Sequence, residues 1–90
     1  MKRTEVEKYL SERLCKADRY GNFTVKGKTW VRVKPQDLSL RFEYRTGIDL
    51  YGYMEYSWHS ISLGRTFYYK DMDSETLEWG ISRLLKIAQR

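Results

Sequence analysis

The residues able to carry out chemistry are few and scattered. The chain of 90 residues has one histidine, His59, and one cysteine, Cys15. A general base needs reach to substrate and usually a partner that orients it, and no pattern around His59 supplies either. Cys15 falls inside an amphipathic helical periodicity, where a half-buried small side chain is its expected role; a lone cysteine allows no intrachain disulfide. No serine stands in a strand-turn-helix Gly-x-Ser-x-Gly context. One Cys and one His cannot complete a four-ligand zinc site. There is no Walker loop or dinucleotide fingerprint. Asp71-Met72-Asp73-Ser74-Glu75 matches the opening of a calcium loop, but Thr76 replaces the required glycine and Ser82 the bidentate glutamate. Helix capping accounts for these acids without a metal. The expectation is a non-enzymatic protein with no cofactor.

Binding chemistry is better represented. Lys26, Lys28, Arg32 and Lys34 flank Trp30 at a spacing of two. Lysines neutralise phosphates, and an exposed indole can stack on a base. Arg41, Arg45, Tyr51 and Tyr53 are placed to continue this face across a sheet. Nine of the fourteen aromatic residues lie between Phe42 and Tyr69. Tyrosine and arginine are also favoured at protein interfaces. The competing reading is an ordinary solvated face, because edge lysines deter strand-to-strand aggregation. The candidate partner-binding residues are Lys26, Lys28, Trp30, Arg32, Lys34, Arg41, Tyr51 and Tyr53.

Two helices and a run of strands must position these groups. Thr4 and Glu7 fit a capping box, and Val6, Leu10, Leu14 and Ala17 recur at helical steps up to Gly21, the expected C′ residue. Phe23, Val25, Val31 and Val33 share one parity. A loop of Lys26-Gly27-Lys28 pairs Val25 with Thr29 and Phe23 with Val31; a single strand bulged at Gly27 is the alternative. Leu38, Leu40, Phe42 and Tyr44 alternate with polar residues, as do Ile48, Leu50 and Met54. A loop of Arg45-Thr46-Gly47 pairs Tyr44 with Ile48 and Phe42 with Leu50, which keeps both apolar sets on one face. Turns are expected near 57–60 and 63–65, and a last strand over Thr66 to Lys70. Asp73 is a good N-cap for a second helix, with a Met72–Leu77 staple and a stripe of Leu77, Ile81, Leu84, Leu85 and Ala88. The expected fold is α+β: N-terminal helix, antiparallel sheet of four or five strands, C-terminal helix, in two layers, forming a single domain over 1–90.

Composition sets the remaining bounds. At this mass roughly 65% of the unfolded chain's surface is buried on folding. The net charge is +5. It is uneven: five basic residues and no acid lie from Arg19 to Gln36, while acids gather at Asp71, Asp73, Glu75 and Glu78. No apolar run approaches the ~20 residues that span a bilayer. No signal-peptide core follows Lys2-Arg3. With the single cysteine, this points to a cytoplasmic protein and no membrane partner.

Thr46-Gly47-Ile48-Asp49-Leu50-Tyr51-Gly52 resembles the strand opening of Sm-like RNA-binding proteins, and Tyr69-Lys70-Asp71 is faintly similar to their later motif. The resemblance, which implies RNA binding, covers about a third of the chain. The region from Gly21 to Asp37 and the terminal helix depart from that fold. The turn aspartate and asparagine of the family signature are absent, so no residue role is transferred.

The leading expectation is a small binding protein whose basic, aromatic sheet face contacts nucleic acid or a nucleic-acid-handling protein. One alternative is an anti-CRISPR-like inhibitor from a phage or mobile element, which covers a host defence nuclease by protein–protein contact. Another is a homodimeric interaction module.

Overall fold

In a computed structural model the described residues are 1–50, 53–61 and 65–89, with the side chains of 48–50 and 53–56 outside that description. Their order is α1 (Arg3–Arg13), β1 (Phe23–Val25), β2 (Lys28–Pro35), β3 (Ser39–Leu50), β4 (Tyr53–Ser60), β5 (Phe67–Tyr68), a short 3-10 turn (Tyr69–Asp71) and α2 (Ser74–Ala88). This is the α+β arrangement that the patterning predicts.

α1 starts and stops earlier than its periodicity implies. The Lys2 amide donates to Glu5 Oε1 at 3.1 Å, so the first turn is closed by that pair and not by Thr4 and Glu7. Glu7 instead accepts from Arg3 Nε. The helix ends at Arg13; Leu14 is half-buried, and Ala17 is exposed. The backbone turns extended at Leu14, and Asp18 organises the turn that follows. Its Oδ1 accepts from the Tyr20 and Asn22 amides, at 2.9 and 3.0 Å. Such local side-chain bonds compete with helix. Gly21, at φ 80°, belongs to this turn and is not a helix cap. Cys15 therefore lies outside the helix, where its amide donates to Thr24 O.

The sheet order is β1-β2-β3-β4, with β5 also paired to β3, and each of these pairings is antiparallel. β1 and β2 are joined through Lys26-Gly27, a two-residue connection whose Gly27 has φ 73°. Left-handed glycine is what such a tight hairpin demands. Val25 pairs with Lys28 and Phe23 with Val33, so the predicted register gives way to a bulge in β2. Two steps along β1 face five along β2. Val31, Val33 and Phe23 are nonetheless all buried.

The largest difference from the expected strands is in β3 and β4. β3 runs through Arg45-Thr46-Gly47, and the pairing extends from Glu43↔Ser60 to Leu50↔Tyr53. The connection falls after Leu50, and Ser57 to Ser60 are strand, not turn. Parity selected the wrong loop because parity needs a core to enforce it. Thr46 and Ser57 follow Tyr44 and precede His59 on the helix-side face, yet both are exposed. The helix layer ends before them, so no buried face disciplines the register there.

α2 follows its expected pattern. Asp73 Oδ1 accepts from the Thr76 amide at 2.8 Å. Met72 and Leu77 are both buried, as a staple requires. Leu77, Gly80, Ile81, Leu84 and Ala88 face the sheet; Leu85 is only half-buried. Gly80 lies against the Phe42 ring, and an added Cβ would collide with it.

The core lies between the helices and one sheet face. Val6 and Leu10 of α1 join Val31, Val33, Leu40, Phe42 and the α2 stripe in one cluster. Phe67 meets Phe42 edge-to-face at 5.4 Å, and Tyr69 is also buried while Tyr68 is exposed. Fully burying each such aliphatic side chain stabilises the fold by about 1.5–3 kcal/mol. α1 is tied to α2 by Glu78, which accepts from the Tyr9 hydroxyl and from Arg13 Nε and Nη2. Among the described residues no helix is long and apolar enough to cross a membrane.

Candidate functional site

Phe42 faces α2, so its neighbour Glu43 points to the opposite side of the sheet. The register then assembles that face. Arg32 is opposite Glu43, Lys34 opposite Arg41, Arg45 opposite Trp58, and Ser60 opposite Glu43 from the other side. Four cations and one tryptophan surround one carboxylate.

Glu43 organises the group. It is only 3% exposed, and Arg32 Nε donates to its Oε1 at 2.9 Å. Arg41 Nη2 is 3.4 Å from Oε2. A buried carboxylate costs several kcal/mol of desolvation unless such donors compensate it. The Arg32 guanidinium also stands 3.8 Å from the centre of the Trp58 ring, and that of Arg45 stands 6.0 Å away. Arg45 Nη2 donates to the Thr29 hydroxyl at 3.0 Å. Arg32 is thus fixed from two sides, by a carboxylate and by an aromatic plane. Planar guanidinium suits this double role, whereas a lysine ammonium does not.

Beside Trp58 and Arg32 is a recess of about 250 Å³ walled by the Asp18–Asn22 turn, including Tyr20. Tyr20 is 73% exposed. The Arg19 guanidinium lies 4.9 Å from its ring. The recess thus sets two aromatic rings, Tyr20 beside Arg19 and Trp58 beside Arg32, around an open space with Asp18 also in its wall.

The residues expected from sequence are divided by this arrangement. Arg32, Lys34 and Arg41 share the face. Lys26 is in the β1–β2 turn, and Lys28 begins β2, its Nζ 5.1 Å from the Trp30 ring. Trp30 corrects the sequence reading, which has its ring looking outward beside Arg32. The β2 bulge interrupts the alternation, and the half-buried indole packs on the core cluster with Nε1 donating to Ile87 O at 3.4 Å. Tyr51 lies outside the described residues. Tyr53 pairs with Leu50 in β4, and its side chain lies outside the description.

Trp58 and Glu43 were not among the expected site residues. A signal for Trp58 exists: Tyr51-Gly52 as a two-residue turn pairs 45 with 58. Glu43 carries no sequence signal of burial, because the arginines that cover it come from the neighbouring strand and from two residues along its own. His59, on the reverse face, has Nε2 3.0 Å from the Thr46 hydroxyl and its ring 5.3 Å from that of Tyr44. Among the described residues, no carboxylate orients it. No protein-family model, curated protein or solved structure matches the chain.

Proposed function

We propose that this is a small binding protein whose helix-free sheet face contacts single-stranded nucleic acid. The observation that carries the reading is the Arg32–Trp58 stack, set among Lys34, Arg41 and Arg45 with Glu43 as the one acid in the group. An aromatic plane bordered by cations is how sequence-tolerant single-strand binders work: rings stack on bases while arginine and lysine track the backbone. The net charge of +5 favours the encounter with a polyanion.

Fluorescence anisotropy with a labelled single-stranded oligonucleotide tests this. Binding weakens with salt, with a log–log slope of about −2 to −3 if three or four phosphates are engaged. Trp58→Ala weakens binding by about 1–3 kcal/mol, the range for loss of one base stack. Absence of binding at low salt removes the reading.

A second reading, contact with a protein such as a nuclease that the chain occludes, is favoured by a different patch. Leu38 is 74% exposed and lines an open apolar groove with Tyr68, Tyr69 and Met1. In that case a complex survives nuclease treatment and is lost in Leu38→Ser, with Trp58→Ala unaffected.

A further inference from the structure

β4 and β5 both pair with β3, one ending and the other beginning along the same edge. Ser60 lies opposite Glu43, and Phe67 opposite Leu40. Between these two ends, where the Ile61 amide donates to Phe42 O, a cleft of about 320 Å³ opens. Its polar walls are Ser39, Arg41, Ser60, Arg65, Thr66 and Gln36. They present two guanidinium groups, three hydroxyls and an amide, and none of the described lining residues is acidic.

We propose that this cleft binds a phosphate group, and that it is the phosphate subsite of the sheet-face nucleic-acid surface. The cleft chemistry stands on its own; its assignment to a nucleic-acid backbone rests on the function proposed above. A guanidinium has five N–H donors, and the single 3.4 Å contact to Glu43 leaves most of those on Arg41 for a ligand. Arg65 is held 5.2 Å from the Phe67 ring, a stacking that limits its freedom before any ligand arrives. Arg41 and Arg65 both line the cleft, so a tetrahedral oxyanion seated there meets two cations. The Thr66 hydroxyl adds a neutral donor that a diester can use. The Ser39 hydroxyl is oriented by its bond to Gln36 Oε1 at 3.3 Å.

The position fits a strand lying across the sheet. Ser60 is two residues from Trp58 on the same face of β4, a separation of about 7 Å at ~3.4 Å per residue. A base on Trp58 and a phosphate in the cleft can therefore belong to one short segment of nucleic acid.

The test combines backbone-amide NMR with oligonucleotide binding. Inorganic phosphate shifts the Ser60, Arg65 and Thr66 amides of the wild-type chain, and Arg65→Gln abolishes the shifts. With a single-stranded oligonucleotide, Arg65→Gln makes the salt slope shallower by about one. With an uncharged methylphosphonate oligonucleotide, Arg65→Gln has no effect, while Trp58→Ala still weakens binding. If wild-type chain binds the oligonucleotide but phosphate moves no cleft amide and Arg65→Gln keeps the slope, the cleft inference is overturned and the sheet-face function stands. If phosphate moves the amides and no oligonucleotide binds, the function fails and the cleft is a site for a free phosphate or small phosphate ester. Equal shifts from chloride at matched ionic strength show an adventitious ion only, and overturn the cleft.

Discussion

Glu43 illustrates how one side chain sets both stability and binding. Its carboxylate holds Arg32 in place under Trp58 and takes a share of Arg41. Glu43→Gln removes the charge but keeps the shape, and lowers unfolding free energy by about 1–3 kcal/mol, the range for losing charge-assisted hydrogen bonds. The same change makes the face more positive, so oligonucleotide affinity at low salt rises. Urea denaturation and anisotropy on the one variant measure both; a fall in affinity at unchanged stability contradicts the role assigned to Glu43. Trp58 makes the complementary case. Trp58→Phe keeps a stacking plane and retains most of the binding that Trp58→Ala loses, whereas a purely structural tryptophan shows the two variants equally impaired. Parity alone put the indole of Trp30 in this role. The β2 bulge decides otherwise, and a bulge is a property of two strands meeting, not of either one.

At the scale of elements, the approach of α2 to the sheet is set by a missing side chain. A Cβ on Gly80 would stand 2.3 Å from Phe42 Cζ. Gly80→Ala therefore destabilises the protein by about 1–3 kcal/mol, the range for overpacking a core, despite the ~1 kcal/mol that alanine gains in helix propensity. Thermal unfolding of Gly80→Ala and of Gly80→Ala with Phe42→Leu measures this: the second substitution restores part of the loss, because the ring is the obstacle. α2 was readable in sequence because its signals are local. The Asp73 cap, the Met72–Leu77 staple and the apolar stripe all fall within one continuous stretch. α1 was readable in its existence and not in its end. Its periodicity continues through Leu14 and Ala17, but the backbone turns extended at Leu14 and the Cys15 amide pairs with Thr24 O of β1.

For the whole molecule, the joint between the helices governs acid stability. Glu78 has its carboxyl lowered from 4.5 to about 2, because Arg13 and the Tyr9 hydroxyl donate to its charged form. The unfolded chain takes up this proton near 4.5, and the folded chain resists until about 2. The stabilising contribution is therefore complete above 4.5 and is lost as pH falls toward 2. The Asp73 carboxyl is lowered as well, by the Thr76 amide and hydroxyl, and its contribution fades in the same direction. Melting temperature followed across that interval falls steeply in the wild type and less steeply in Glu78→Gln, with the Asp73 part remaining. An unchanged slope in Glu78→Gln shows that the joint does not couple to folding. The exposed setting of Arg13 and Glu78 makes this effect screenable, so it shrinks at high salt.

The amino-acid order by itself determined the class of elements, their sequence, the two core stripes and the cationic character of the strands. Each of these follows from spacing within one segment and the burial that such spacing allows. Only the folded chain decided that β3 continues through Gly47, that Arg45 faces Trp58 and that Glu43 is enclosed by arginines. Those depend on strand register, which adjacent backbone hydrogen bonds settle jointly and which apolar alternation can dictate only where a helix covers the sheet.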